Sequence, residues 1–405
     1  MRRLTALSLA LGLLASTALT PARADDMVKI GVLSDMGGPL SAITGPGAVI
    51  AAELAIEDFG GTVAGRKIEL VQADHQNKAD VGAAVAQEWL TSDGVDAIVD
   101  GAGSAVALAV QELARNEKKV FLITGASGSV LTGKACSPYG IHWSVDTYGL
   151  AQGTGKLAVQ DVGKSWFFLT ADYAFGHALE ADASKVVQAA GGTVVGHVLH
   201  PFNTPDFSSF LLQAQASGAE VIGMAHGAGD LINAVKQAHE FGVGAPSSGQ
   251  SLVGLLVFIT DVNSIGLEAA QGLTVTNTFY WDMNDETRAF AERFKARSGG
   301  QPPTMMQAGS YGAVLHYLKA VEATGTDDAD TVLAKMREMP INDVYTKNGS
   351  IRADGRVLRD YYLWRVKSPA ESKGPWDYLT LVGSLPAEEA ARPLGESECP
   401  LVKSN

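Results

Sequence analysis

The chain has 405 residues, of which 46% are hydrophobic, 19% charged and 7% aromatic. That is length enough for two domains of ordinary size, and far too apolar for intrinsic disorder. A formal net charge of −13 repels phosphate backbones and argues against nucleic acid as a partner.

The N-terminus carries Arg2 and Arg3, then a small apolar run from Leu4 to Leu19. Ala22-Arg23-Ala24 follows, with Asp25-Asp26 just beyond. This is the pattern of a secretory signal peptide cleaved after Ala24, and the run is short for a span that needs about 20 apolar residues. Its removal leaves 28 basic and 44 acidic residues, a net charge of −16. No later segment is long and apolar enough to cross a bilayer, so the mature chain is expected to be exported and soluble.

From residue 28 the pattern is strand, turn, amphipathic helix, repeated. Val28–Leu33 is a β-rich run, followed by the turn Asp35–Pro39 and a helix over 47–59. A strand over 67–73, a helix over 78–92, a strand over 97–100, a helix over 105–118 and a strand over 120–124 complete the series. After a break around 136–147 the rhythm restarts. Strands are expected at 165–170, 193–199 and 220–225, with helices at 175–190, 207–217 and 231–241. Continuous apolar strands joined by helices imply parallel sheets covered on both faces, and a plan run twice implies two doubly wound lobes. Past Thr274 the pattern turns helical, at 286–297, 305–323 and 331–339, before one more strand at 361–366. These late elements complete the two lobes, so the chain crosses between them more than once.

Cys136 and Cys399 are the only cysteines. In an oxidising compartment they either form one disulfide that ties the C-terminal tail to the body or remain two separate thiols.

Several motifs fail on context. Gly128–Lys134 matches most of a phosphate-binding loop, but Ala135 stands where Ser or Thr should hold magnesium, and Pro138 opposes the helix that should follow. Gly153–Ala158 resembles a dinucleotide turn but lies within a helical pattern. The histidines lack metal-binding spacing, no Gly-x-Ser-x-Gly elbow occurs, and neither a metal nor a cofactor is expected.

What remains is positional. Ligands bind beyond the carboxyl ends of strands in open parallel sheets. Those ends are Asp35–Pro39, Asp74, Gly101–Ser104 and Gly125–Ser127 in the first half. In the second they are Ala171–Phe175, His226, Gly227 and, by rough placement, Gln250-Ser251. Ser104 and Ser127 stand where helices should begin, beside unpaired N–H groups, a setting that suits a carboxylate without a cation. Helix capping uses the same geometry. Tyr173 and Phe175 stand where a ring could cover a ligand or pack in the core, and Asp172 is a candidate cap.

These residues resemble the periplasmic solute-binding proteins of ABC transporters, in the branched-chain amino acid and amide-binding class. The carriers are Lys29–Pro39, Ala55–Asp58, Asp96–Val99, Phe121–Thr124 and Asp172–Gly176. The resemblance implies an α/β periplasmic binding protein of type I, two doubly wound parallel-sheet lobes joined by a three-stranded hinge, in the periplasm. It implies a first lobe of residues 27–146 with 277–345, a second of 147–276 with 346–385, and a tail of 386–405. Hinge closure traps the solute and presents it to an inner-membrane permease; the protein is expected to be a monomer, not an enzyme. Ser104 and Ser127 would hold the ligand carboxylate, the Gly125 carbonyl would accept from the ligand, and Phe175 would cover it, with Tyr173, His226 and Ser251 nearby. One departure stands out. Relatives place an acid in the second lobe to meet the ligand's ammonium group, and no carboxylate occurs near Gln250-Ser251. A buried ammonium without an acid is costly, so the expected ligand is a carboxylate or amide without an α-ammonium, such as an aromatic acid. Two other readings stay open: an exported amide or ester hydrolase with Ser104 as nucleophile, and a sensory subunit using the same closure.

Overall fold

The computed structural model describes residues 27–245 and 248–402. The signal-peptide pattern of residues 1–24 lies outside them. The first sheet is assembled from β1 (Met27–Ser34), the short β2 (Thr62–Val63), β3 (Arg66–Asp74), β4 (Ala97–Asp100), β5 (Val120–Ile123) and β6 (Gly140–His142). Its order is β2-β3-β1-β4-β5-β6, parallel except for the β2–β3 pair. β4 reads Ala-Ile-Val-Asp and β5 Val-Phe-Leu-Ile, and every residue of both is buried, as strands covered on both faces must be. The crossovers are α1 (Gly45–Phe59), α2 (Ala79–Thr91) and α3 (Ser104–Glu117). α1 has a proline in its first turn and stops at Gly60, whose φ of 106° only glycine adopts easily.

The second sheet begins after α4 (Thr147–Leu150), a π-turn over Ala151–Gly155 and α5 (Lys156–Asp161). β7 (Ser165–Ala171), α6 (Ala174–Ala189), β8 (Thr193–His200), α7 (Ser208–Ala216), β9 (Val221–Ala225), α8 (Ala228–Glu240) and β10 (Ser251–Gly254) follow. The strands are parallel in the order β10-β9-β7-β8. Next come α9 (Ile259–Ile265), α10 (Leu267–Ala270) and β11 (Thr274–Asn277).

The chain then returns to the first lobe with α11 (Asp285–Lys295), α12 (Met305–Thr324) and α13 (Ala329–Glu338). The start of α12 is anchored there: Thr304 Oγ1 donates to the Ile43 carbonyl at 2.7 Å, and Gln307 Nε2 to that of Thr44 at 3.1 Å. The hairpin β12 (Ser350–Ile351) and β13 (Val357–Leu358) bridges to β6 through Arg356 and His142. β14 (Tyr361–Val366) and β15 (Leu379–Leu385) then pair with β11 in an antiparallel sheet, β11-β14-β15. Val275, Trp364, Val366 and Leu379 of that sheet share a core with Ile222 and Leu231 of the second lobe.

Three stretches therefore pass between the lobes, after His142, after Asn277 and after Leu358. Arg356, buried, holds the first and third together: its Nε lies 3.1 Å from Asp146, its Nη1 donates to the His142 carbonyl, and it also bonds the Ser144 carbonyl and the Tyr361 hydroxyl. A fourth link is covalent. Cys136 and Cys399 form a disulfide, which ties the tail beyond β15, including α14 (Ala387–Ala390), to the loop before β6. Both motifs set aside on sequence prove to be plain chain. Gly128–Lys134 holds a short 3-10 turn, and Gly153–Ala158 lies within the π-turn and α5.

Candidate ligand-binding cleft

A cavity with about 410 Å³ of space, part of it open to solvent, lies between the carboxyl ends of the two sheets. On the first lobe it is walled by the turns holding Gly103-Ser104 and Gly125–Ser127, with Leu40, Ile43 and Met306 beside them. The second lobe contributes Tyr173, Phe175, Gly227-Ala228, Leu256 and Phe258. Among the described residues, no acidic or basic side chain lines it.

The first-lobe wall carries a set of donors among its aliphatic side chains. Gly103, at φ 85°, is the N-cap of α3, so Ser104 is its first residue and not its cap. Ser104 Oγ instead accepts the Gly128 N–H at 3.1 Å, which leaves its own proton free for a ligand. The first N–H groups of α3 lack partners within the helix and add positive dipole at the same place. Ser127 is 4% exposed; its carbonyl accepts from Thr147 N–H at 2.8 Å, and among the described residues its hydroxyl has no protein partner. The Gly125 carbonyl already receives the Gly103 N–H at 3.2 Å.

The second-lobe wall is aromatic and apolar. Tyr173 precedes α6 and Phe175 lies in its first turn. Their ring centres are 5.9 Å apart, and Phe202 meets Tyr173 edge-on at 5.0 Å. Burial holds the Tyr173 phenol far above its ordinary pKa, so it stays a neutral hydrogen-bond donor. Asp172 bonds His177 at 2.9 Å on the surface and does not enter the cleft.

Two expectations need correcting. His226 is fully buried behind the wall, its Nδ1 2.8 Å from His200 Nε2 and its ring against Phe207. Burial drives its pKa down and keeps it neutral. Ser251 stands at the start of β10, paired with Val221, and lines a separate hollow with Val243 and Leu273. β10 ends at Gly254, three residues later, and it is Leu256 and Phe258 just beyond that end that face the cleft. The acids read at strand ends serve the backbone: Asp35 accepts the N–H groups of Gly38 and Leu40, and Asp74 those of Met36 and Gln76. Sequence reasoning missed Leu40, Ile43, Ala228, Met306, Leu256 and Phe258. Only the first three lie next to a strand end that it had singled out.

The lobes also meet beside the cleft. Ser129 Oγ, two residues past Ser127, donates to Asp182 Oδ2 of α6 at 2.7 Å; Thr147 Oγ1 donates to the same oxygen, and Arg392 of the tail to Oδ1.

Two parallel-sheet lobes, three crossings and a donor-lined cleft between strand ends define a bilobal receptor for a small solute. A family model described as "periplasmic binding protein" matches residues 27–375, and the chain belongs to that family of ABC-transporter solute-binding proteins, whose members work outside the cytoplasm. A periplasmic binding protein of Burkholderia mallei is 47% identical, with a TM-score of 0.91 over 93% of this chain and all of that one. A branched-chain amino acid ABC transporter ligand-binding protein of Burkholderia xenovorans is 42% identical, with a TM-score of 0.84 over 93% and 100%. A solute-binding protein of Rhodopseudomonas palustris, solved with 3,4-dihydroxybenzoic acid, is 26% identical, with a TM-score of 0.80 over 90% and 98%.

Proposed function

We propose that the protein is the receptor subunit of an ABC importer and that it captures a small monocarboxylic acid with an apolar or aromatic body and no α-ammonium. The observation that carries this reading is the cleft's charge pattern: hydroxyl and N–H donors beside aliphatic side chains on the first-lobe wall, aromatic and aliphatic surface on the second, and no acid among the described residues. A carboxylate placed against Ser104, Ser127 and the start of α3 finds charge-assisted donors. An ammonium in the same cleft finds no anion, and a desolvated cation without a partner costs several kcal/mol. Tyr173 offers one neutral donor opposite the serines, suited to a hydroxyl or carbonyl on the ligand body. The Rhodopseudomonas relative and its dihydroxybenzoic acid support the class of ligand. The hydrolase reading gains nothing from the site, since Ser104 Oγ is bonded to a backbone N–H and no histidine reaches it.

Ligand selects the closed arrangement because only there does it touch both walls. The signal peptide, the permease and the monomeric state belong to the same proposal. The test is a thermal-shift panel on protein unfolded and refolded with its disulfide kept, so that carried ligand is removed. Saturation at a hundredfold over Kd adds about 2.7 kcal/mol of stability. Aromatic or branched aliphatic acids are expected to raise Tm, and a response confined to amino acids refutes the reading.

A further inference from the structure

Directly behind the donor wall lies a carboxyl group with no assigned role. Asp100 closes β4 and is completely buried. Its backbone takes φ 86°, and its carbonyl receives the N–H groups of Thr124 and Gly125 at 3.2 and 3.1 Å. The side chain is thereby tucked under the 125–127 turn: a Cβ placed on Gly125 would stand 2.4 Å from Asp100 Oδ1. Oδ1 accepts from Thr124 Oγ1 at 3.2 Å, and among the described residues Oδ2 has no hydrogen-bond partner.

Among the described residues, the surroundings offer no cation. β5 presents the Thr124 hydroxyl, which is 2.8 Å from Ser310 Oγ on α12. The end of β1 and the start of α1 present the hydroxyls of Ser34 and Thr44, which bond each other and, by favouring the charged form, partly offset the burial of Asp100. The charged neighbour is Asp35, after β1, which repels a negative Asp100. Past Asp35, at the end of β3, stand Asp74 and the buried His75, whose pKa burial holds below the ordinary imidazole value.

We infer that Asp100 is a specificity residue coupled to a proton: its carboxyl is protonated when a carboxylate occupies Ser104 and Ser127, so capture of the anion takes up a proton. The inference rests on the carboxylate reading given above. Two negative charges separated by a single backbone layer in a desolvated site cannot both persist cheaply. Burial already pushes Asp100 up to about 7 in the free protein, and a bound anion pushes it higher. The sign follows from linkage. Below about pH 7 the carboxyl is neutral before and after binding, and affinity is flat. Above it, binding must first protonate Asp100, and affinity falls as pH rises.

The experiment is calorimetric titration of ligand-free protein at pH 6.0, 7.0 and 8.5, with benzoate and 4-methylpentanoate, both anions throughout, and with neutral benzamide. The acids are expected to bind about thirtyfold more weakly at pH 8.5 than at pH 6.0, with any benzamide binding unchanged. Asp100→Asn is expected to flatten the acid profile and tighten binding at pH 8.5. Titrations of the unmutated protein at pH 7.5 in phosphate and in Tris should differ in heat by the uptake of most of one proton per ligand. That comparison decides the matter alone if the variant fails to fold. Acid binding with a flat profile and no proton uptake, or a profile that survives Asp100→Asn, overturns the coupling and leaves the carboxylate reading intact. Failure of both acids to bind at any pH overturns both.

Discussion

Replacing Ser127 by alanine separates ligand binding from stability, because among the described residues its hydroxyl bonds nothing in the protein. The group is 4% exposed, borders the cleft and is held in place by its own carbonyl's bond to Thr147. Losing one donor to a carboxylate removes about 1.5–3 kcal/mol, which is a 10- to 150-fold rise in Kd. The free protein should melt within about a degree of the unmutated one, since no internal partner is stranded. Ser104→Ala makes the contrast. It removes a similar ligand bond and also the acceptor for the Gly128 N–H, and an unpartnered buried N–H costs about 1–3 kcal/mol. Its Kd should rise by a similar factor while its free-state Tm falls by several degrees. Calorimetry for Kd and a melt without ligand read both quantities. A Ser127→Ala Kd within twofold of the original refutes the carboxylate site, and equal melting shifts for the two variants refute the division of roles.

Other outcomes follow from the hinge and the core. Arg356→Met leaves Asp146 buried without its cation, keeping only the Gly149 N–H, and should cost about 3 kcal/mol in urea unfolding; a loss under 1 kcal/mol contradicts the hinge account. The Cys136→Ser/Cys399→Ser pair opens a ring spanning 263 positions and should lower stability by up to about 5.6 kcal/mol in the chain-entropy view, so an unchanged Tm counts against the tail as a structural tie. His142 is fully buried, and burial with the nearby Arg356 pushes its pKa down to about 3. The unfolded chain protonates it from about pH 6.5 downward while the folded chain does not. Stability should therefore fall by about 1.4 kcal/mol per pH unit between those values, and His142→Gln should flatten that slope.

The parts of the site that were legible in the sequence are those set by local rules. Parallel strands 97–100 and 120–123 are apolar runs but for the closing Asp100, and the glycine-serine turns after them must lie at the sheet's carboxyl edge, which is where Ser104 and Ser127 stand. Tyr173 and Phe175 follow β7 by the same rule. What long-range packing decides was not legible. Met306 reaches the cleft because α12 comes back to the first lobe some 200 residues after β4. β10 is four residues long and begins with a serine, so its ends could not be placed, and the ligand wall was read at Ser251 rather than at Leu256 and Phe258. His226 stands at a strand end like the true wall residues, but a partner 26 positions earlier, His200, turns it into the core. β15 went unread because Leu381 and Val382 are exposed and the strand shows no clean alternation. The cysteine pairing, open on sequence, depended on the tail folding back across the lobes.

In the function proposed above, the cleft holds a carboxylate and has no place for an ammonium beside it. Matched pairs with one carbon skeleton isolate that difference: 4-methylpentanoate against leucine, and 3-phenylpropanoate against phenylalanine, titrated calorimetrically into stripped protein at pH 6.5. An acid of one pair or both should bind, with its amino acid at least about a hundredfold weaker, the cost of burying an unpartnered ammonium. Leucine or phenylalanine binding as tightly as its deaminated partner would contradict the account and require an acid that the cleft's described lining does not contain.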